Sequence, residues 1–322
     1  MLMTKIIDWD DRIGRRIKLR DLRVFFAVVE CGSMAKAATL FRITQPAVSQ
    51  AIVQLEHALA VKLLDRSSRG VEPTIYGRTL LRRARAAFDE LRDGVREIEF
   101  LADPTSGELR LGCAEPFAGS ILPPIVQRFS QAFPRVSIRV NEIPPLEEQS
   151  TLDDRANDLL MGLWVKPRTL PADADQIKIE VLFDERLIVA AGSNSQWAKR
   201  RKIELAELVH EPWILGPPGS WNHVGTSEAF RSQGLELPKV MLTTYSVPLR
   251  AHALANGPYL ATFPESVVRF NAARYSLKVL PVDLSVAPRP AAIIIFKNRT
   301  LGPLVEPFIA CAREAANSMR ER

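Results

Sequence analysis

The side chains most suited to a specific function in this sequence are amides and hydroxyls, not catalytic groups. Gln45, Ser49 and Gln50 fall on one side of a helix if the segment Gln45 to Leu59 is helical. Amide and hydroxyl groups at a helix N-terminus can hydrogen-bond base edges and phosphates in the major groove of DNA. An ordinary helical hairpin with a solvated, amide-rich face is the alternative, and this segment alone leaves both interpretations open.

Catalytic patterns do not emerge from the rest of the chain. It has no GxSxG elbow, no GxGxxG after a strand, no P-loop and no HExxH, which are the motifs that would indicate common enzyme chemistries. The histidines and cysteines are widely separated, without metal-ligand spacing. They are His57, His210, His223, His252, Cys31, Cys113 and Cys311. We therefore expect no enzyme activity, no metal and no cofactor.

Two helices and a tight turn must position the polar face. Ser33 is an N-cap before the run that starts at Met34, and Thr44 is an N-cap before the longer run. Pro46 lies in the first turn of that second helix, where the N–H it lacks would have no intrahelical partner. An aliphatic stripe recurs at helical spacing along the same helix and turns inward. Its members are Val48, Ile52, Leu55 and Leu59.

The next segment, residues 63–74, predicts a β-hairpin. Two short extended arms flank a tip of serine, arginine and glycine. A hairpin of this kind beside a helix-turn-helix forms a wing. Arg66 and Arg69 are then placed to contact DNA phosphates.

From Leu19 to about Ala84 the chain resembles the LysR-type transcriptional regulators. The residues that carry the resemblance are Leu22, Phe25-Phe26-Ala27-Val28, Gly32-Ser33, Ala37-Ala38, Thr44-Gln45-Pro46-Ala47-Val48-Ser49, Leu55-Glu56, Leu63-Leu64-Asp65-Arg66 and Gly77. In that family the second helix enters the major groove, so the resemblance implies that Gln45, Pro46, Ser49 and Gln50 contact bases. Ser33, Thr44, Arg66 and Arg69 complete the expected DNA-binding residues.

One departure from the family concerns the end of the second helix. Ala60 stands where relatives usually have glycine. An alanine in the left-handed conformation costs about 1 kcal/mol. The groove-facing start of the helix is unaffected.

A long amphipathic helix follows the wing. Apolar residues alternate steps of three and four, the pattern of a helix that pairs with another like it. They are Leu81, Ala84, Phe88, Leu91, Val95, Ile98 and Ala102. The alternative is a helix docked on its own domain. Pairing is favoured, because two linked DNA-binding heads would add their contacts.

After the linker 103–107, strands and helices alternate in a βαβ pattern with parallel strands. This order resembles the effector domain of the same family, which is similar to type-2 periplasmic binding proteins. The expected fold is therefore an all-α winged helix-turn-helix domain, a long dimerisation helix and a two-lobed α/β effector domain. The expected divisions are an extension 1–18, the DNA-binding domain 19–73, the helix 74–102, the hinge 103–107, and the effector domain 108–322, with lobe one 108–184 and 277–322 and lobe two 185–276.

The resemblance also implies an effector site between the lobes. Relatives use the loop after the first strand, which here is Ala114 to Phe117, with Pro116 at the usual hydroxyl position. Because Glu115 would repel a carboxylate, we expect a neutral or cationic effector. The candidate residues are Glu115, Pro116, Ser220, Trp221 and Ser246. Glu115 as a mere helix cap, and Trp221 as a plug of its lobe, are the alternatives.

Composition agrees with an ordinary folded protein that has a mild basic bias. The chain has 322 residues, 47% of them hydrophobic, and 43 lysines and arginines against 37 acids give a net charge of +6, which suits a polyanionic partner.

No apolar run is long enough to span a bilayer, and the N-terminus carries acids where a signal peptide would be apolar. We expect a cytoplasmic regulator, a homodimer or homotetramer that binds double-stranded DNA and a small-molecule effector. A cytoplasmic small-molecule binding protein and an enzyme are the alternatives.

Overall fold

The computed structural model describes residues 16–67, 70–143, 156–164, 177–297 and 301–320. The chain divides into two units, Met1–Arg92 and Asp93–Arg322. Each unit has its own core. The expected extension 1–18 and Arg69 lie largely or wholly outside the described residues.

Three helices form the core of the first unit. They are α1 (Leu19–Cys31), α2 (Met34–Phe41) and α3 (Gln45–Leu59). The Ser33 hydroxyl accepts a hydrogen bond from the backbone N–H of Lys36, and the Thr44 hydroxyl accepts one from Ala47. Both predicted N-caps are therefore confirmed.

Left-handed residues end all three helices. Gly32 has φ 60°, Arg42 φ 55° and Ala60 φ 56°. Ala60 thus adopts the conformation that usually requires glycine, at a cost of about 1 kcal/mol.

The aliphatic stripe of α3 lies inward as predicted. Val48, Ile52 and Leu55 are completely buried, and they pack against Phe25 and Val28 of α1. Leu59 is partly buried against the same core. This packing leaves Gln45, Pro46 and Gln50 exposed, and Ser49 partly exposed.

The wing consists of β1 (Leu64–Ser67) and β2 (Gly70–Pro73), paired antiparallel. The N–H of Val71 donates to the carbonyl of Gly32 at 3.0 Å. The wing is thereby tied to the turn between α1 and α2.

Helix α4 (Ile75–Ala102) follows the wing and continues across the boundary between the units. The expectation of one continuous pairing seam is wrong for its first half. Leu81, Ala84 and Phe88 pack on the core of the helix-turn-helix, and the Phe88 ring lies 5.5 Å from that of Phe26. The apolar residues in this half of the seam pack on the aromatic residues of α1 in the same chain, so they are not free to pair with a second chain.

The second half of the seam is solvent-exposed. Leu91, Val95 and Ile98 are 52%, 55% and 68% exposed. Isolated exposed apolar residues are ordinary, but a row of them at helical spacing indicates an interaction surface.

The first sheet of the second unit has the order β4-β3-β5-β12-β6. Its strands are β3 (Ser106–Ala114), β4 (Arg135–Ile143), β5 (Leu159–Leu163), β6 (Ile177–Glu185) and β12 (Arg289–Phe296). Strand β3 is parallel to β4 and β5, as predicted, whereas β12 is antiparallel to β5 and β6. The short α5 (Glu115–Ala118), α6 (Leu122–Ala132) and α10 (Val305–Arg320) accompany this sheet.

The second sheet has the order β11-β7-β10-β8-β9. Its strands are β7 (Leu187–Gly192), β8 (Pro212–Leu215), β9 (Lys239–Thr243), β10 (Leu260–Pro264) and β11 (Leu277–Val279). Helices α7 (Trp221–Ser232), α8 (Val247–Asn256) and α9 (Glu265–Tyr275) connect them.

Strand β11 corrects the expected boundary of the lobes. The sequence predicts residues from 277 onward in lobe one, but Leu277–Val279 pairs antiparallel with β7 in the sheet of lobe two. The chain returns to the first sheet with β12. The sequence pattern could not distinguish the two, since a three-residue strand carries no mark of the sheet it joins.

Candidate nucleic-acid interface and inter-lobe cleft

The start of α3 forms a polar, uncharged edge on the first unit. Thr44, Gln45, Pro46 and Gln50 are exposed there. The N–H groups of a first helical turn have no intrahelical partners, so this edge can donate to phosphates as well as present side chains to bases. The structure brings these predicted residues together on one helix end.

Ser33 and Arg66 lie on other elements of the same unit. Ser33 is partly exposed at the start of α2, and Arg66 is exposed on β1. A cation beside a helix that enters a groove is suited to a phosphate contact.

Sequence reasoning did not assign a role to Glu56, which ties α3 to the wing. Its carboxylate Oε1 accepts from the N–H groups of Leu63 at 2.9 Å and Leu64 at 3.4 Å, while Oε2 pairs with Lys62 Nζ at 2.9 Å. Burial raises the pKa of Glu56, but the three hydrogen bonds outweigh it and the pKa is lowered. The sequence showed only a charged residue inside an apolar stripe.

In the second unit, Glu115 of lobe one bonds the helix start that Ser246 caps in lobe two. The carboxylate Oε1 of Glu115, which follows β3, accepts from the N–H of Val247 at 3.1 Å. Val247 opens α8 in the other lobe, where the Ser246 hydroxyl accepts from Leu249 at 3.3 Å. Glu115 therefore caps a helix, although not the one next to Pro116.

Arg250 is a buried charged residue near Glu115 that the sequence analysis missed. It is 2% exposed, and its Nη1 donates to the carbonyl of Thr262 at 2.9 Å. Burial lowers the pKa of Arg250 to about 10, and the charge of Glu115 opposes that shift. The argument that Glu115 repels anions considered this carboxylate alone, whereas the charge of Arg250 acts on it in the folded chain. An arginine one turn into a capped helix is usually exposed, so no sequence signal indicated its burial.

The other three predicted effector residues have local partners. The Ser220 hydroxyl lies 2.7 Å from the carbonyl of Pro217 and from Asn222 Oδ1. The Pro116 carbonyl accepts from Ser120 Oγ at 2.7 Å. Trp221 packs into the core of lobe two, with Arg289 over its ring at 5.7 Å.

A second group of polar contacts joins the lobes at the end of β6, where the chain passes from the first sheet to the second. Glu185 at the end of β6 accepts from the N–H of Ser266 at 3.0 Å. The hydroxyls of Ser120 and Ser266 lie 3.4 Å apart, and Asn271 Nδ2 donates to the carbonyl of Gly119 at 2.8 Å. Burial raises the pKa of Glu185 to about 7.

Within the part of the chain that the structure describes, no cluster of histidine, cysteine and acidic side chains could hold a metal ion. Within the same part, no helix is long and apolar enough to cross a membrane.

These features define a class of protein: a winged helix-turn-helix unit joined by a long helix to a two-lobed α/β unit. Two family models match the chain, "Bacterial regulatory helix-turn-helix protein, lysR family" over residues 19–78 and "LysR substrate binding domain" over residues 102–317. The chain belongs to the LysR family of transcriptional regulators.

Individual relatives and solved structures agree with this assignment. The chain is 26% identical to the HTH-type transcriptional regulator GbpR of Azospirillum brasilense, over 95% of this chain and 89% of the relative. It is also 26% identical to the uncharacterized HTH-type transcriptional regulator YybE of Bacillus subtilis, over 89% and 95% of the two chains. The crystal structure of CbnR, a LysR family transcriptional regulator, has the same fold at a TM-score of 0.66, with 21% identity over 93% of this chain and 99% of that one.

Proposed function

We propose that this chain regulates transcription from the cytoplasm, by binding promoter DNA as a homodimer or homotetramer under the control of a small-molecule effector. The observation that carries the proposal is the exposed amide and hydroxyl edge of α3, held outward by the buried stripe of Val48, Ile52 and Leu55. Of the solved structures with this fold, one is full-length CbnR in complex with its target DNA.

In this proposal the start of α3 enters the major groove. Gln45, Pro46, Ser49 and Gln50 contact base edges there, because amides and hydroxyls can match their donors and acceptors. Ser33, Thr44, Arg66 and Arg69 contact the sugar-phosphate backbone and fix the orientation of the helix.

Pairing of two chains follows from the exposed half of the α4 seam. One helix-turn-helix reads few bases, whereas two linked heads bind two half-sites as one event. Leu91, Val95 and Ile98 supply an apolar row that a second copy of the same helix can cover.

The cleft of the second unit is the proposed effector site, with Glu115, Pro116, Ser220, Trp221 and Ser246 as its candidate residues and Arg250 added to them. A ligand held by residues of both lobes would change how the lobes meet, which is a shift between two populations. We propose the domain divisions expected from the sequence, with Leu277–Val279 moved to lobe two.

Regulation is favoured over the two alternatives by particular features. A small-molecule binding protein would have no use for the polar edge of α3 or the exposed seam of α4. An enzyme is disfavoured because the sequence carries none of the common nucleophile or cofactor motifs.

Quantitative binding to the DNA upstream of its own coding region tests the proposal. Replacing Ser49 and Gln50 by alanine should weaken specific binding by about 1–3 kcal/mol for each lost base contact. Arg66→Ala should instead weaken binding to all DNA sequences. The slope of the logarithm of the binding constant against the logarithm of the salt concentration should become shallower by about 1, which corresponds to one lost phosphate contact. His57→Ala is the matched control, since His57 is exposed at the far end of the same helix. Equal binding by the parent, the Ser49 and Gln50 variants and the control would refute the proposed reading face.

A further inference from the structure

Val53 is an exposed apolar side chain on α3 that the packing of the protein does not explain. It is 50% exposed. Within the described part of the first unit, neither the buried core nor the partly buried residues packed on it include Val53. Valine is also a poorer helix former than alanine or glutamine, because its branched Cβ restricts χ1. Neither core packing nor helix stability therefore accounts for a valine at this position.

Val53 lies in the middle of the proposed reading face. It follows Ser49 by four residues and Gln50 by three, and residues at these spacings are neighbours on a helix surface. With 3.6 residues per turn, it falls between them when the helix is viewed along its axis. Leu55, which is completely buried, lies on the far side of the helix. The face that carries donors and acceptors at its two sides thus has an apolar centre.

One apolar group on the base edges of the major groove suits such a centre. Thymine presents its C5 methyl group there, beside the O4 acceptor, whereas cytosine presents an amino donor and no methyl. A valine side chain has one strongly preferred rotamer in a helix, so its two methyl groups lose little conformational freedom on contact. A serine or glutamine in the same place would match polar edges instead. Val53 is therefore suited to distinguish thymine from cytosine.

We propose that Val53 is a specificity-determining residue that selects a thymine in each operator half-site through van der Waals contact with the C5 methyl group. Val53 lies about 6 Å beyond Ser49 along the helix axis, and base pairs are spaced about 3.4 Å apart. The selected thymine is thus within about two base pairs of the pair that Ser49 contacts. This inference rests on the proposed function, since it adds a residue to the same reading helix.

Removal of single methyl groups from the DNA tests the contact. Duplexes of the DNA upstream of the coding region are made with each thymine in turn replaced by deoxyuridine, which lacks only the C5 methyl. The full-length parent should bind about four-fold more weakly when the selected thymine of one half-site is replaced, as expected for one buried methyl group. Replacement of thymines outside the contacted positions should leave its affinity unchanged.

A double-mutant cycle assigns the methyl contact to Val53. Val53→Ala should bind the thymine duplex more weakly than the parent does, and the same deoxyuridine should cause no further loss. Alanine is the better helix former, so this variant should fold. Val53→Ser also lacks both methyl groups and carries the test if the alanine variant is not obtained folded. His57→Ala is the matched control, because His57 is exposed one turn further along α3, and it should keep the full four-fold sensitivity of the parent.

Two results would overturn the inference. One is a parent protein that binds its promoter DNA but is indifferent to every deoxyuridine. The other is a Val53→Ala variant that loses as much affinity as the parent from the same deoxyuridine, because the methyl group would then act through another residue or through the shape of the DNA. Failure of the proposed function gives a different result, since the parent would then bind neither the thymine duplex nor its deoxyuridine versions specifically.

Discussion

The carboxylate of Glu56 accepts the backbone N–H of Leu63 at 2.9 Å and so joins the end of α3 to the first residue before the wing. Glu56 is 8% exposed, and the same carboxylate also bonds Leu64 and Lys62. The side chain that faces into the core at this point is therefore a charged one, and its partners come from Lys62, Leu63 and Leu64, where the chain enters the wing. These contacts hold Lys62, Leu63 and Leu64 against the end of α3.

Glu56→Ala should destabilise the first unit by about 1–3 kcal/mol, because two buried N–H groups lose their acceptor. Thermal unfolding of the full-length chain measures the effect. Glu72→Ala, which removes an exposed carboxylate from the wing, should change stability by less than about 0.5 kcal/mol. Equal effects of the two substitutions would contradict the role given to Glu56.

The lowered pKa of Glu56 determines how its contribution to the free energy of unfolding changes with pH. Burial raises the pKa, while Lys62 and the two backbone N–H groups lower it to below the ordinary value of 4.5. The stabilisation is thus present above pH 4.5 and is lost as the pH falls through the pKa of the folded state. A Glu56→Gln variant should lack this acid-dependent loss in unfolding experiments below pH 4.5.

Gly77 allows α4 to lie close to the wing, and its replacement should lower the free energy of unfolding. A Cβ at this position would overlap the carbonyl oxygen of Leu63, so Gly77→Ala must displace backbone. We expect a loss of about 1–3 kcal/mol in unfolding stability. Gly94→Ala in the same helix is the matched control, since a Cβ there meets no atom within 4 Å. It should stabilise the helix by up to about 1 kcal/mol, and a loss at position 94 as large as that at 77 would refute the packing argument.

The exposed half of the α4 seam should control assembly. Replacing Val95 and Ile98 together by aspartate puts charges into the proposed helix pair, where burial of unpaired charge is unfavourable. Sedimentation should then show a monomer at concentrations where the parent is a dimer or tetramer, with weaker DNA binding. Glu97→Ala, on the exposed polar side of the helix, should leave assembly unchanged. A double variant that remains fully assembled would locate the interface elsewhere.

Glu185 should make the second unit less stable at alkaline pH. Burial raises its pKa to about 7, and the charge of Glu265 adds to this, whereas the bonds from Ser266 oppose it. Because the folded-state pKa lies above the ordinary 4.5, its contribution is fully present below pH 4.5 and is lost as the pH rises through 7. The loss is on the order of 3 kcal/mol.

Glu185→Gln provides the measurement. The amide keeps an oxygen that can accept from the Ser266 N–H but cannot ionise. Relative to this variant, the parent should lose stability between about pH 5 and about pH 8 in chemical unfolding. Parallel pH profiles of parent and variant would show that the Glu185 carboxyl does not titrate in the folded protein.

Local chemistry was sufficient to predict the first unit. The N-caps at Ser33 and Thr44 and the inward stripe of α3 depend on neighbours within a few residues, and the structure confirms them. The alternation of strands and helices in the second unit was predictable for the same reason. The direction of β12 and the sheet that β11 joins were not, because both depend on strands that lie about a hundred residues away in the chain.

The residues themselves determined that this chain has a capped, polar-edged helix-turn-helix, a wing, a long amphipathic helix and an α/β region. Three features depended on the folded structure: the half of the α4 seam that packs on the helix-turn-helix core, the bond of Glu56 to the wing, and the bond of Glu115 to Val247 near a buried Arg250. The physical reason is distance along the chain. Periodicity and capping are set within a helix turn or two, whereas burial and pairing of a charge depend on groups that folding brings from far away.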